Sequence, residues 1–131
     1  MFTASFSPRF YETDAFGHVN NTVVTGWFET AREPIFRIFT PDMDIKTMKL
    51  ILARVEVDYV AQIYYGTEVT VQTGIEKIGN ASFVVWHEAF QHGKLVAKGT
   101  AVQVHFDHAT QKSSPLPDDL RAALSAHLRE G

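Results

Sequence analysis

The sequence predicts an α+β fold in which one long apolar helix precedes an antiparallel sheet. Two observations support this class. Apolar residues recur at helical spacing between residues 22 and 40, and from about residue 50 the spacing changes to the two-residue period of strands. The strand segments are long and their links are short, which is typical of antiparallel connections. With 131 residues, the chain suits one core rather than two domains.

The N-terminal third predicts a strand followed by the long helix. Residues 3–13 alternate loosely between apolar and polar side chains, as a first strand would. Asn20 or Asn21 is a suitable N-cap for the helix, and Pro41 marks its end. Pro34 removes an amide donor and clashes with the preceding turn, so we expect a kink or a restart there. The apolar stripe of this helix consists of Val24, Trp27, Phe28, Ala31, Ile35 and Ile38.

Four strands follow the helix. The segments LARVEVDYV, TEVTVQTGI, ASFVVWHEAF and LVAKGTAVQVHF each alternate in the manner of a strand. Two tight turns are predicted between them, at IGNAS (residues 78–82) and at His92-Gly93. The residues expected on one face of the first two strands are Ala53, Val55, Val57 and Tyr59, and then Val69, Val71, Thr73 and Ile75.

A short helix is predicted in the closing segment PLPDDLRAALSAHLRE. Pro117 lies near its start, two aspartates follow in the first turn, and Arg129 lies in the last turn, as the helix dipole favours. Its narrow apolar stripe consists of Leu120, Leu124 and Leu128.

The long helix is apolar over more than one side, because Val23 and Phe36 lie off its main stripe. A helix of this kind has to be buried on several sides, and a strongly curved sheet wrapped around it would do so. A strand left at the edge of that sheet would then invite pairing with a second copy of the chain.

The composition excludes several classes of protein. The chain has no cysteine, so disulfides, thiolate metal sites and a cysteine nucleophile are excluded. A net charge of −3 with scattered basic residues argues against a nucleic-acid surface. No apolar run is long enough for a membrane span, and the N-terminus does not read as a signal peptide. We therefore expect a cytoplasmic protein without nucleic-acid or membrane partners.

The segment RFYETDAFGHVNN (residues 9–21) has two readings. Asp14 and Gly17 fit the first and last positions of a type I turn, so the segment is consistent with simple turn chemistry. Alternatively, the free N–H groups at the start of the following helix could hold an oxyanion that develops on an attacked carbonyl. A carboxylate a few residues upstream could attack that carbonyl or activate a water. The second reading predicts acyl transfer.

Several segments carry a resemblance to a known family. FYETDAFGHVNNTVVTGWFETAR (residues 10–32) resembles the signature of hotdog-fold acyl-CoA thioesterases of the 4-hydroxybenzoyl-CoA thioesterase family. The similarity continues through residues 54–83, residues 93–107 and the PLPDDLRAAL segment. It implies one hotdog domain over residues 1–131, with a curved antiparallel sheet around the long central helix and a short C-terminal helix. It also implies hydrolysis of an acyl-CoA to a carboxylic acid and CoA by a homo-oligomer, a dimer or a tetramer.

The resemblance implies catalytic roles for three residues. Asp14 matches the family's carboxylate, acting as general base or nucleophile, and the backbone N–H of Asn21 would polarise the thioester carbonyl. His18 and Asn20 match the family's GHVNN variant, in which they shape the loop or orient water and the thioester. Many relatives have a tyrosine just after the paired asparagines, where this chain has two valines, so the lining of the acyl pocket stays open.

Other residues are candidates for substrate binding. Phe16 and Tyr59 could line a pocket for the acyl group, together with Trp27 and Phe28, although all four could equally belong to the core. Ser82 matches the strand start that lines the pantetheine channel in relatives. The candidates for the CoA phosphates are Lys77, Lys94, Lys98 and Arg54. No cofactor is expected, since CoA is part of the substrate.

Several alternatives are open or weaker. Glu29 is expected to form a surface or interface pair with Arg32, although some hotdog thioesterases use a helix glutamate as the catalytic acid. His105 and His108 lie three positions apart, which places them on opposite faces of a strand, so no metal site is expected. A hotdog hydratase or dehydratase and a non-catalytic acyl-CoA binding module are the alternative functions. The hydratase is disfavoured because its acid and histidine are usually one residue further apart than Asp14 and His18 are here.

Overall fold

The computed structural model of the protein describes residues 1–129. Within that range, strands and helices follow the predicted order, with one short strand added near the end. A single turn of 3₁₀ helix at Phe10–Glu12 precedes the first α-helix. The elements are β1 (Phe2–Phe6), α1 (Asn21–Ala31), α2 (Glu33–Phe39), β2 (Leu50–Tyr59), β3 (Val69–Ile78), β4 (Ser82–Gln91), β5 (Lys94–Asp107), β6 (Lys112–Ser113) and α3 (Asp118–Ser125).

The strands form one antiparallel sheet in the order β1-β3-β4-β5-β2, with β6 paired to the end of β5. The two tight turns are confirmed. His92 and Gly93 have φ angles of 54° and 73°, the left-handed pair that a two-residue hairpin turn requires. Residues 79–81 make the other turn, closed by a 2.7 Å hydrogen bond from the Gly79 N–H to the Ser82 carbonyl.

The predicted restart at Pro34 is confirmed, because the long helix is two helices that meet at Arg32. Pro34 lies in the first turn of α2, where its missing N–H is not needed by the helix. The bend turns the second apolar face toward the far half of the sheet, where Ile35 and Phe39 are buried against Phe83 and Ile75.

The sheet curves around α1, and the core lies between them. The predicted inner face of β3 is confirmed. Its four residues are at most 1% exposed: Val69, Val71, Thr73 and Ile75. Phe28 on α1 is also 1% exposed and packs in the same interior. Burying a side chain of this size stabilises the fold by roughly 1.5–3 kcal/mol. The predicted arrangement, a curved antiparallel sheet around a central helix with a short C-terminal helix, is confirmed.

The predicted first strand is too long. β1 ends at Phe6, which pairs with Val69, the first residue of β3. Beyond Phe6, β1 therefore has no residue of β3 to pair with. Pro8 then has no N–H to donate to a ladder. The chain instead forms the 3₁₀ turn at Phe10–Glu12, in which the Glu12 carboxylate accepts a 2.6 Å hydrogen bond from the Arg9 N–H.

The predicted C-terminal helix is also too long. It begins after Pro117 as expected but ends at Ser125, so Arg129 is not in its last turn. Leu128 is 45% exposed and pairs with Ile75 in an isolated parallel bridge. Arg129 lies 4.0 Å over the ring of Trp86 and 3.0 Å from Glu88. Beyond Ser125, the chain pairs through its backbone with Ile75 and places Arg129 against Trp86 and Glu88 instead of continuing the helix.

Within residues 1–129, every helix is too short to cross a membrane.

Candidate active site

The loop that carries Asp14 is a small closed hairpin. Thr13 and Val19 form an antiparallel bridge, and the Asp14 N–H donates to the His18 carbonyl at 2.8 Å. The Gly17 N–H donates to the Asp14 carbonyl at 3.2 Å, as in the predicted turn. Gly17 has a φ of 77°, a conformation that glycine adopts without strain. The turn reading of this segment is therefore confirmed, and it fixes the position of the acid.

The Asp14 side chain is exposed and anchored through one of its oxygens. Oδ1 accepts hydrogen bonds from the backbone N–H groups of Phe16 at 2.8 Å and His18 at 3.2 Å. This local pattern holds the carboxylate at the rim of the loop. Both of these donors bind the same oxygen, and within residues 1–129 the other carboxylate oxygen, Oδ2, accepts no hydrogen bond.

His18 contacts Asp14 through the backbone rather than through its ring. Its backbone pairs with Tyr64, and its half-buried imidazole lies edge-on to the Tyr64 ring with centroids 5.1 Å apart. The ring of Phe16 lies 6.3 Å from the same imidazole but is part of a side chain that is 82% exposed. His18 thus joins the acidic loop to the segment before β3.

The start of α1 has one uncommitted N–H. Asn20 is the N-cap, and its Oδ1 accepts from the Thr22 N–H at 3.0 Å, while its carbonyl accepts from the Val23 N–H at 3.0 Å. Among the hydrogen bonds of residues 1–129, none is donated by the N–H of Asn21. Capping by Asn20 therefore satisfies the next two donors of the helix and leaves this one available.

Tyr59 lies beside the same helix end. Its hydroxyl donates a 2.8 Å hydrogen bond to the Asn21 carbonyl, which ties the end of β2 to the start of α1. A cavity of about 230 Å³ opens here, and both residues line it together with Val19, Val24 and Ile63.

Two backbone links bring the acidic loop and the helix start to the same end of the molecule. The Asn20 N–H donates to the Glu12 carbonyl at 2.8 Å, and the Val19 N–H donates to the Ile63 carbonyl at 2.7 Å. Asp14, His18, Asn20, Asn21 and Tyr59 therefore lie at the same end of the molecule.

Gln91 is a supporting residue that the sequence analysis missed. Its amide lies at the end of β4 and is 3% exposed. It accepts from the Tyr64 N–H at 3.0 Å and donates to the carbonyls of Tyr64 at 2.9 Å and Thr67 at 2.8 Å. No local feature of the segment EAFQHG marks this glutamine as buried, because its partners lie about 25 residues earlier in the chain. Gln91 holds the segment against which His18 packs.

Ser82 and Lys77 do not belong to this end of the molecule. Ser82 begins β4, whereas Gln91 ends it, so about 30 Å of strand separates Ser82 from the acidic loop. Lys77 pairs with Val84 near the same far end. Trp27 and Phe28, also considered for the acyl pocket, are core residues at 7% and 1% exposure.

The predicted pair between Glu29 and Arg32 is wrong. Arg32 is 3% exposed, and no ion pair between the two forms within residues 1–129, because the helix turns the guanidinium into the interior. There the Nη1 of Arg32 donates to the Nε2 of His87 at 3.2 Å. Because arginine can only donate, Nε2 accepts, and the Nδ1–H of the neutral ring donates to the Thr73 hydroxyl at 2.8 Å.

The His87 ring is held neutral by its surroundings. Burial, and secondly the charge of Arg32, lower the pKa of His87 to about 3. The ring also stacks on Phe28 with centroids 4.6 Å apart. His87 is therefore a structural acceptor for a buried cation rather than a proton donor at neutral pH.

Residues 1–129 contain no group of three or more histidine, aspartate or glutamate side chains placed to hold a metal ion.

Comparisons with known proteins agree with this arrangement. A sequence model of the thioesterase-like superfamily matches residues 8–124. A predicted thioesterase from Bacillus stearothermophilus is 48% identical, with a TM-score of 0.96 over 99% of this chain and 98% of that one. A thioesterase from Thermus thermophilus, complexed with coenzyme A and Zn, is 32% identical, with a TM-score of 0.86 over 95% and 92% of the two chains.

One protein related by sequence is the uncharacterized protein YsmA of Bacillus subtilis (strain 168). It is 25% identical over 119 residues, which cover 90% of this chain and 81% of YsmA. The two structural likenesses and the family match confirm the fold that the resemblance implied.

Proposed function

Since the chain belongs to the thioesterase-like superfamily, we propose that it hydrolyses an acyl-CoA to a carboxylic acid and CoA, using Asp14 and the N–H of Asn21. The predicted enzyme class, a thioester hydrolase, is confirmed by that membership. The observation that carries the proposed site is the uncommitted N–H of Asn21 at a helix start beside an exposed, anchored carboxylate.

The Asn21 N–H supplies the electrophilic half of the reaction. Asn20 occupies the neighbouring donors, and the positive end of the α1 dipole adds to the field at this point. A thioester oxygen bound there becomes more negative as the carbonyl is attacked, so the N–H binds the transition state more strongly than the substrate. The donor is main-chain and preorganised, which makes it insensitive to the side chain at position 21.

Asp14 supplies the nucleophilic half. Glu12 lies opposite Asn20 and Asp14 lies opposite His18, so the backbones of Asp14 and Asn21 are on the order of 10 Å apart. A thioester can lie between the two groups. In one route the carboxylate attacks the carbonyl carbon, the CoA thiolate leaves, and water cleaves the resulting anhydride. In the other, Asp14 takes a proton from a water that attacks the same carbon.

His18 and Asn20 act as positioning residues in this scheme. Asn20 orders the first turn of α1 through its cap, and His18 fixes the end of the acidic loop against Tyr64. The imidazole ring does not need to exchange a proton for either route. The reaction uses no resident cofactor, since CoA arrives with the substrate.

CoA is the proposed thiol, supported by the Thermus thermophilus thioesterase that was solved in complex with coenzyme A. The cavity beside Tyr59 is the proposed entry for the acyl group, because it adjoins the Asn21 carbonyl group and has valine and isoleucine walls. Phe16 flanks the same loop from the exposed side.

A second subunit is part of the proposal. In residues 1–129, β2 lies at the edge of the sheet, and apolar side chains there are exposed, among them Val55 at 39% and Tyr59 at 46%. Pairing of this edge with a second copy would cover them. Ser82 and Lys77 lie too far from Asp14 to meet it within one protomer, so any contact they make with CoA comes from the other subunit.

Thiol release from a panel of acyl-CoAs tests the proposal. We expect the wild-type protein to turn over and Asp14→Asn and Asp14→Ala to lose at least about a hundredfold in kcat, since either change removes the base or nucleophile. Asn21→Ala should lose far less, because its backbone N–H is retained.

Asp44→Asn is the matched control. Asp44 is an exposed loop aspartate whose Oδ1 also accepts a backbone N–H, from Lys46 at 2.9 Å, and it lies outside the site. Near-normal hydrolysis by Asp14→Ala, or equal losses of activity in Asp14→Asn and Asp44→Asn, would remove Asp14 from the mechanism. Hydration of an enoyl-CoA without thiol release would instead identify a hydratase.

A further inference from the structure

Gln91 lies beneath the connection between β2 and β3, residues 60–68. It is the last residue of β4 and is 3% exposed. Its amide nitrogen donates to the carbonyls of Tyr64 and Thr67, and its amide oxygen accepts from the Tyr64 N–H. A neutral amide offers two donors and an acceptor together, so this one side chain satisfies backbone groups at both ends of the turn at Tyr64–Thr67.

Little else holds this turn against the rest of the molecule. Within residues 60–68, Ile63 is the one buried residue, at 4% exposure. Among the hydrogen bonds of residues 1–129, those that join residues 62–67 to other segments lead to Gln91 or to the acidic loop. Without the amide, the two carbonyls would have to reach water, because a buried polar group is costly when it is left unpaired. The turn would then move outward.

The acidic loop is bonded edge to edge with this connection. The Val19 N–H donates to the Ile63 carbonyl at 2.7 Å, and the Tyr65 N–H donates to the Gly17 carbonyl at 3.3 Å. The tip of the loop, residues 14–16, is exposed, so packing does not hold it in place. The position of the loop therefore depends on these backbone bonds, and a shift of the connection would carry the loop with it.

His18 passes this restraint on to the acid. Its backbone forms the bridge with Tyr64, its N–H donates to Oδ1 of Asp14 at 3.2 Å, and its carbonyl accepts from the Asp14 N–H at 2.8 Å. A short path of backbone and amide contacts thus runs from Gln91 through Tyr64 and His18 to Asp14. The N–H of Asn21 is held separately, by the helix itself.

We propose that Gln91 is a positioning residue for the hydrolysis, because its amide fixes the Asp14 carboxylate relative to the N–H of Asn21. The inference rests on the proposed reaction at Asp14. Gln91 touches neither the acid nor the substrate site, and it acts through Tyr64 and His18. A displacement of about 1 Å in a reacting group can lower a rate by as much as about a hundredfold, so a buried amide two contacts away is expected to affect kcat.

Gln91→Met tests the proposal, since methionine has a similar length and no hydrogen-bonding amide. We expect kcat for thiol release to fall at least tenfold and KM to change less than about threefold, because alignment of the acid is lost and substrate contacts are kept. An unchanged kcat, or a loss that lies entirely in KM, would overturn the proposal. Circular dichroism checks that the variant is folded.

Gln103→Met is the matched control. Gln103 is also a glutamine on the inner face of the sheet, at 2% exposure, but it pairs with Phe83 near the opposite end of β4. About 25 Å of strand separates Phe83 from Gln91. The control should keep kcat within about twofold of the wild-type value. A loss of kcat equal to that of Gln91→Met would assign the effect to the core in general and overturn the proposal.

A double-mutant cycle with Asp14→Asn separates positioning from a general structural role. If Gln91 acts through the acid, Gln91→Met should change the residual rate of Asp14→Asn by less than about twofold. A further tenfold loss in that background would overturn the proposal. Full activity in Asp14→Asn would reject the proposed reaction and this inference together, whereas an inactive Asp14→Asn beside a fully active Gln91→Met would reject the inference alone.

Tyr65→Pro gives a second test that leaves Gln91 and the core intact. It removes the N–H that donates to Gly17, and proline suits this place in the turn because Gly66, with a φ of 100°, follows as in a type II turn. Tyr65→Ala keeps the N–H and is its control. We expect kcat of the proline variant to be at least tenfold below that of the alanine variant, even if Gln91→Met fails to fold. Equal kcat values in these two variants would show that the connection does not position the acid.

Discussion

At the residue scale, buried polar groups define this protein as much as its exposed acid does. Arg32, His87 and Thr73 form a chain of hydrogen bonds inside the core, where each group would be costly if left alone. His87 has to stay neutral to accept a hydrogen bond from the cationic Arg32, so these hydrogen bonds form only while the ring is unprotonated. This requirement gives folding a dependence on pH that is separate from catalysis.

We predict that the protein loses stability as the pH falls from about 6.5 toward 3 because of His87. The pKa of this ring is about 3 in the folded state, against an ordinary value of 6.5, so in that range the unfolded chain binds a proton that the folded chain does not. The free energy of unfolding then decreases with falling pH, by up to on the order of 5 kcal/mol over the whole range.

Urea titrations between pH 7 and pH 4 check this prediction. The slope of stability against pH should be clearly reduced in His87→Gln, whose amide can still accept from Arg32. His108→Gln, at an exposed position, is the control and should keep the wild-type slope. Identical slopes in His87→Gln and the wild-type protein would show that another group carries the effect.

At the scale of the element, the first turn of α1 stabilises the helix and is part of the proposed site. Asn20 accepts hydrogen bonds from the N–H and the hydroxyl of Thr22, so one side chain organises the helix end that presents Asn21. A looser first turn would direct the free N–H less accurately at the thioester oxygen. A substitution that weakens the cap is therefore expected to lower both the stability of the protein and kcat.

We predict that Asn20→Ala lowers the free energy of unfolding by about 1 kcal/mol and lowers kcat severalfold. Asn20→Asp keeps the side-chain acceptor and should retain most of the stability. Chemical denaturation and thiol-release kinetics on the same preparations provide both values. An alanine variant with lower stability but unchanged kcat would separate the cap from the reaction.

At the scale of the whole molecule, the uneven exposure of the sheet is the dominant feature. β3 and β4 are covered by helices on their inner face, whereas β2 is exposed along most of its length and contains a bulge between Leu52 and Arg54. The exposed apolar residues of this edge continue from Ile51 to Val60. Such an edge is a template for pairing.

We predict that Val55→Lys produces a folded monomer with greatly reduced activity. A lysine on each copy places like charges at the paired edge, where pairing would bury them. Sedimentation velocity measures the assembly, and circular dichroism checks the fold. Ile45→Lys is the control, since Ile45 is an 83% exposed loop residue away from the edge. A wild-type protein that sediments as an active monomer would reject the two-subunit site.

The sequence alone determined most of the elements and the turn that holds the candidate acid, because both depend on local information. The helical spacing around Phe28, the alternation in β3 and the cap at Asn20 are set by neighbours in the chain, and the structure repeats them. Asp14 and Gly17 likewise close their own turn. The ends of β1 and α3 depend on residues that are distant in the chain, and for these two elements the sequence-based prediction was too long.

Only the tertiary structure decided which polar residues are buried and which ends of strands meet. Nothing in the segment FETAR distinguishes an exposed Arg32 from a buried one, since its position depends on His87, which lies 55 residues further along the chain. The same holds for Gln91 beneath Tyr64 and for the distance of Ser82 from Asp14. Local spacing fixes which face of an element a residue occupies, but burial depends on what the rest of the chain packs against that face.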